Sequence, residues 1–175
     1  MNMVKLTDGN ITLREFSQKD KYRLVELANN REIFNNLRDA FPHPYTLQNA
    51  ENFIDMCQKT KPPQLFAIEY DGLYVGNIGL HKETDVYRKS AEIGYFLGES
   101  YWNKGIMTKA VNLICEYGFS KLDIVRIHTG VFDYNIPSQK VLEKCGFCKE
   151  AVFKNAIYKN DTLCDEVRYS KLKSI

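Results

Sequence analysis

The stretch Ala91–Val111, AEIGYFLGESYWNKGIMTKAV, restricts the possible folds of this chain more than any other. It begins as an apolar, aromatic run, Ile93-Gly94-Tyr95-Phe96-Leu97, which has the look of a strand. Gly98-Glu99-Ser100 interrupts it, and from Ile106 the apolar residues Met107, Ala110, Val111, Ile114, Tyr117 and Gly118 recur at helical spacing. A strand that enters a helix through a turn with a free glycine aims the first helical N–H groups at open space. Those donors have no intrahelical partner and the helix dipole favours negative charge there, so the unit is a candidate anion site. Gly105 lets the backbone approach a ligand where a side chain would block it. Many strand–turn–helix units contain a glycine and bind nothing, so this segment alone does not establish a ligand. The chain has no G-x-x-x-x-G-K-[ST], and no G-x-G-x-x-G follows a strand, which removes the two common nucleotide fingerprints.

On either side of this unit the pattern alternates between helix and strand. Asn10–Phe16 reads as a strand, and Ser17 as the N-cap of a helix carrying Tyr22, Leu24, Val25, Leu27 and Ala28. A second helix carries Ile33, Phe34 and Leu37, and Phe41-Pro42-His43-Pro44-Tyr45 cannot continue it. Thr46 caps a third helix that ends before Pro62-Pro63. Leu65–Tyr70 and Tyr74–His81 form a hairpin turning at Asp71-Gly72. The long helix runs to about Lys121, and Ile124–Phe132 is another strand. Asn135 and Pro137 open the last helix, which Gly146 stops. Phe147–Tyr158 and Thr162–Leu172 make a final hairpin. The expected fold class is α+β, around a mixed, mostly antiparallel sheet.

With 175 residues the expectation is a single domain spanning 1–175. Lys and Arg total 24 against 22 acidic residues, a net charge of +2, so little drives the chain toward nucleic acid or an anionic membrane. No apolar run is long enough to span a bilayer and the N-terminus lacks a signal-like core, so the expected location is cytoplasmic. Five cysteines at irregular spacing, including Cys145-Gly-Phe-Cys148, suit reduced thiols better than a disulfide framework. His43, His81 and His128 fall in no cluster with ligand spacing, so no metal is expected.

The organising stretch, together with VFDYNIPSQKVLEKCGF (131–147), closely resembles the GCN5-related N-acetyltransferases (GNAT), in particular the branch that acetylates the N-termini of ribosomal proteins. The resemblance covers Ile11 to Leu172 and implies a GNAT fold, its strands splayed where acetyl-CoA sits. The family usually writes the pyrophosphate turn Q/R-x-x-G-x-G/A. Here Trp102, Gly105 and Met107 stand at those places, so the central glycine matches and the outer two depart. The resemblance implies that acetyl-CoA is the cosubstrate. Its phosphates would meet the backbone from Asn103 through Lys104, Gly105, Ile106 and Met107 to Thr108, and its pantetheine arm would lie along Tyr95, Phe96 and Leu97. Asn135 and Ser138 complete the implied cofactor set.

The same resemblance implies direct transfer of acetyl to a primary amine, with Glu92 as general base and Ser138 hydrogen-bonded to the departing thiolate. Many family members carry a tyrosine for the latter task at a position that is Leu142 here. The structural alternative for Glu92 is an ion pair with a cation such as Arg126, and a water relay from another acid would also serve. Acceptor contacts are implied for the Arg38–Tyr45 loop and the Asn155–Asp161 hairpin, with Arg38, His43, Tyr45 and Tyr158 as the contact residues. The acceptor expected is a protein or peptide N-terminal amine. A polyamine, an amino sugar or an antibiotic remains an alternative, as does an acyl-CoA-binding protein without turnover. Monomer and homodimer are both compatible with the sequence.

Overall fold

In the computed structural model, which describes residues 3–174, the chain runs β1 (Lys5–Asp8), β2 (Ile11–Arg14), α1 (Asp20–Ala28), α2 (Arg31–Asn35), α3 (Leu47–Lys59), β3 (Leu65–Tyr70), β4 (Leu73–Lys82), β5 (Ser90–Leu97), α4 (Ile106–Lys121), β6 (Arg126–Phe132), α5 (Ile136–Lys144), β7 (Cys148–Lys159) and β8 (Thr162–Leu172). All eight strands lie in one sheet, in the order β1-β2-β3-β4-β5-β6-β8-β7. Only the β5–β6 pairing is parallel, which gives the mixed, mostly antiparallel sheet expected from the sequence.

Helices cover both faces of the β2–β5 half. α4 and α5 pack one face through Ile106, Ala110, Val111, Ile114 and Leu142, against Leu13, Ile78, Leu80 and Ile93. On the opposite face α1, α2 and α3 bring Leu24, Leu27, Ile33, Ala50 and Ile54 over Ala67, Tyr74 and Phe96. A central strand covered on both sides reads as continuously apolar, and β4 is buried from Tyr74 to Leu80. Each large apolar side chain so enclosed contributes on the order of 1.5–3 kcal/mol. β7 at the far edge is mostly exposed.

Local chemistry explains most element ends. Thr46 and Asn49 form a reciprocal capping box at α3, Asn135 accepts from the Ser138 amide at α5, and Gly146 takes the left-handed conformation (φ 80°) after α5. Two expectations are corrected. Strand β1 was not anticipated; its KLTD sequence is largely exposed and lacks a strong apolar alternation. Ser17 does not cap α1, whose first residue is Asp20. The Asp20 carboxylate instead accepts from the Ser17 amide at 2.8 Å and from both terminal nitrogens of Arg14, at 2.8 and 2.9 Å. Arg14 also donates to Glu69 at 2.6 Å. This ion-pair group fixes the entry to α1 in a way that a serine cap does not.

The feature that creates a site is the short β5–β6 ladder. Its rungs are Ser90–Arg126, Ala91–Ile127 and Glu92–His128, and it ends there. Beyond it β5 continues to Leu97 paired only with β4, and β6 continues to Phe132 paired with β8. The sheet therefore splits, leaving one edge of Ile93–Leu97 without a strand partner.

Candidate active site

The turn after β5 is built from backbone conformations that favour Asn and Gly. Asn103 (φ 61°) and Gly105 (φ 74°) are both left-handed, a region where β-branched residues are outliers. Gly105 is the N-cap of α4, with no side-chain hydrogen bond to the first-turn N–H groups. A Cβ built on Gly105 would meet nothing within 4 Å, so the start of the helix is open on that side. The geometry suits a phosphate-sized anion, since helix-start N–H groups and the dipole act together there. Lys104 stands at this turn, its ammonium 5.4 Å from the centroid of Tyr101. Ile106 and Met107 direct their side chains into the core, so only their backbone is available to a ligand, and Thr108 is half-buried. The Trp102 indole donates to the Leu97 carbonyl at 2.7 Å, tying the turn back to the strand it leaves.

Across the split, Tyr95 and Ser138 meet. Their hydroxyls are 2.8 Å apart, joining the unpaired part of β5 to the first turn of α5. Burial pushes the Tyr95 phenol well above its ordinary range, so it stays protonated and able to donate. The Asn135 Oδ1 accepts the Ser138 amide at 3.2 Å. Leu142 is fully buried in the core. Phe96 and Leu97 also send their side chains inward, Phe96 against Phe41 at 5.6 Å between centroids.

On the α1–α3 face, the last rung of the ladder carries charge. Glu92 is opposite His128 on β6 and His81 on β4. Its carboxylate is ion-paired with Arg38, from the loop after α2, and not with Arg126, which instead binds Glu150 through two bonds. That pair and the Ser170 hydroxyl hold the Glu150 carboxyl down to about 2. His128 Nε2 lies 3.0 Å from Glu83. Next to the rung, Gly94 and Gly130 leave the face low. At Gly94 an added Cβ would have only the His81 ring within 4 Å, at 3.9 Å, and the Glu166 side chain covers Gly130.

The two segments expected to border an acceptor come together. Lys159, at the end of β7, has a side chain only 3% exposed. Its ammonium sits 2.6 Å from Asp39 and 3.6 Å from the centroid of Phe34. Asn160 bonds Asn35 at 3.0 Å, and the Tyr134 hydroxyl donates to the Asn35 carbonyl at 2.6 Å. With Arg38 on Glu92 and Asp39 on Lys159, the loop after α2 bridges from β5 to the β7–β8 tip. His43 is exposed at this loop and stacks on Phe34 with centroids 4.9 Å apart. Tyr158 is exposed and donates to Asp161 within its own turn, so it does not join that bridge. Tyr45 has its ring in the core, 6% exposed and tilted against Phe41 with centroids 5.1 Å apart.

Sequence reasoning did not single out Lys159, Asp39, Phe34, Asn35, Tyr134 or Glu83. A lysine in a polar hairpin looks like a solvated one, and nothing local marks it for burial.

Comparison with known proteins gives the same picture. The chain matches the acetyltransferase (GNAT) domain family over residues 10–148. It is 32% identical over 168 residues to "Putative ribosomal N-acetyltransferase YdaF" of Bacillus subtilis, covering 93% of this chain and 91% of that protein. It is 37% identical over 99 residues to "Uncharacterized N-acetyltransferase YoaA" of the same organism, there spanning only 57% of this chain and 55% of the relative. A solved microcin C7 self-immunity acetyltransferase, in complex with acetyl-CoA and AMP, superposes with a TM-score of 0.79 at 28% identity, over 95% of this chain and 94% of that one.

Proposed function

The chain belongs to the GNAT acetyltransferase family, and from that premise we propose that it transfers acetyl from acetyl-CoA to a primary amine, the amine being the N-terminal α-amine of a peptide or protein. The observation that carries this reading is the split between β5 and β6. It leaves a free strand edge leading from the charged rung at Glu92 to the uncapped start of α4. A pantetheine arm is an extended chain of amides, and an unpaired edge accepts such a chain as it would accept a strand. The turn from Asn103 to Thr108 supplies N–H donors and Lys104 for the phosphates.

When bound, acetyl-CoA supplies a thioester as electrophile and a thiolate as leaving group. The chain's own residues handle the protons. Glu92 takes the proton from the acceptor ammonium, making the amine a nucleophile. Ser138 Oγ offers its hydrogen bond to the sulfur, with the Tyr95 phenol donating to the same Oγ from behind. Orientation across the split contributes alongside these steps.

The N-terminal acceptor is supported by the likeness to YdaF along nearly the whole of both chains. The test is release of CoA thiol from acetyl-CoA with peptides bearing Ala, Ser or Met N-termini, spermidine and an amino sugar, against a no-acceptor control. Release with peptides is the expected result. Release with spermidine or the sugar alone would discard the acceptor and keep the chemistry, and release with none would overturn the proposal.

The hydroxyl pair gives a second expected result. Ser138→Ala should lower kcat by roughly 10–100-fold, the low end for proton-transfer assistance because a thiolate already leaves readily. Tyr95→Phe should cost less, and the double variant no more than Ser138→Ala alone, because the phenol acts through Oγ. Multiplying effects in a kinetic double-mutant cycle would show that the two act separately.

A further inference from the structure

The Arg38–Glu92 ion pair poses a problem for any acceptor. The carboxylate that faces the end of the β5–β6 ladder already has a cation on it, and an incoming ammonium must displace that cation. Three other cations around the rung are also paired, Arg126 with Glu150, Arg168 with Glu166 and Lys159 with Asp39, and His128 is hydrogen-bonded to Glu83. Arg38 differs in being the most exposed of these cations, with a side chain 66% accessible, while Glu92 beneath it is 24% accessible.

The position of Arg38 is built into the fold. Its neighbour Asp39 is held by the buried Lys159, and Asn35 on the preceding helix is gripped by Asn160 and by Tyr134. A loop fixed on these sides presents the guanidinium to the rung at little cost in ordering.

Resting on the reading above, we propose that Arg38 is a specificity-determining residue that reads a carboxylate lying within about one residue of the acceptor amine. The acceptor ammonium takes Glu92, and its carboxylate takes Arg38. Two opposite charges replace two opposite charges, so neither protein group is left unpaired. A neutral acceptor offers Arg38 nothing in return, and a cationic one repels it; this is selection by an unfavourable alternative as much as by a favourable contact. The planar guanidinium suits a carboxylate, which it can grip through two bonds. The carboxylate can belong to an acidic second residue of a peptide or to the α-carboxylate of a free amino acid.

The experiment measures kcat/KM for CoA release with matched acceptors: Ser-Asp-Ala-Gly-amide against Ser-Asn-Ala-Gly-amide and Ser-Lys-Ala-Gly-amide, and free alanine against alaninamide. The acidic member of a pair should be preferred roughly tenfold or more, the scale of one charge-assisted hydrogen bond. The peptide pair and the alanine pair distinguish the two sources of the carboxylate. Arg38→Gln should bring the members of the preferred pair within about twofold, and Arg38→Glu should turn the preference toward the lysine peptide. Lys159→Met, which touches no acceptor, should raise KM for the acidic member by loosening the loop. Transfer at equal rates to acidic and neutral members overturns this inference and leaves acetyl transfer standing. Absence of transfer to every acceptor overturns both.

Discussion

Replacing Glu92 by Gln should lower kcat/KM for amine acetylation by roughly 10²–10⁴-fold at neutral pH, the usual contribution of a positioned proton acceptor. Affinity for acetyl-CoA should hold, because Glu92 shares the α1–α3 side of β5 with Phe96, while Ile106 and Met107 at the start of α4 pack on the other side. Stability should also hold. Among the described residues the ion pair lost is that to Arg38, whose side chain is largely in water, and exposed pairs contribute little. The measurement is kcat/KM of the variant beside the parent chain at neutral pH, with acetyl-CoA binding followed by calorimetry. A loss below about threefold would move the proton to another acid on the same face. Glu83 beside His128 and Glu166 over Gly130 are the two candidates the fold provides.

Gly105→Val should abolish useful acetyl-CoA binding with little effect on folding. The residue is left-handed at φ 74°, so a side chain costs about 1–2 kcal/mol in backbone strain. No atom lies within 4 Å of the new Cβ, so the core is not disturbed. The valine would stand at the N-cap of α4, next to its first N–H groups. Loss of two charge-assisted hydrogen bonds at about 1.5–3 kcal/mol each corresponds to roughly 10²–10⁴-fold in Kd. Thermal unfolding and calorimetric titration on the same sample separate the two effects. Tight binding in a folded variant would show that the turn does not hold the phosphates.

These two sites were legible to different degrees. The α4 turn could be read from AEIGYFLGESYWNKGIMTKAV because each of its requirements is local. An apolar run makes the strand, Gly105 takes a left-handed conformation, and apolar residues at helical spacing make the helix. Thr46, Asn135 and Gly146 were legible for the same reason, since a cap is settled within four residues of the side chain that makes it. Tyr95 was only half legible. Its place on the strand was clear, but its hydroxyl contact with Ser138, 43 residues away, depended on where α5 settles. That contact puts a second hydroxyl beside Ser138.

What the sequence determined by itself was therefore the set of elements from β2 onward and their order, because hydrophobic period, turn glycines and caps act over a few residues. Tertiary structure decided which charges meet. Glu92 pairs with Arg38 across 54 residues rather than with the nearer Arg126, and Lys159 reaches Asp39 across 120. Both outcomes depend on the strand order β5-β6-β8-β7 and on the loop laid over it, which bring together side chains that no local pattern relates. Burial of Lys159 follows from the same cause. The lysine is enclosed only once Phe34 and Asp39 arrive from the other end of the chain, and their ring and carboxylate make a buried ammonium tolerable.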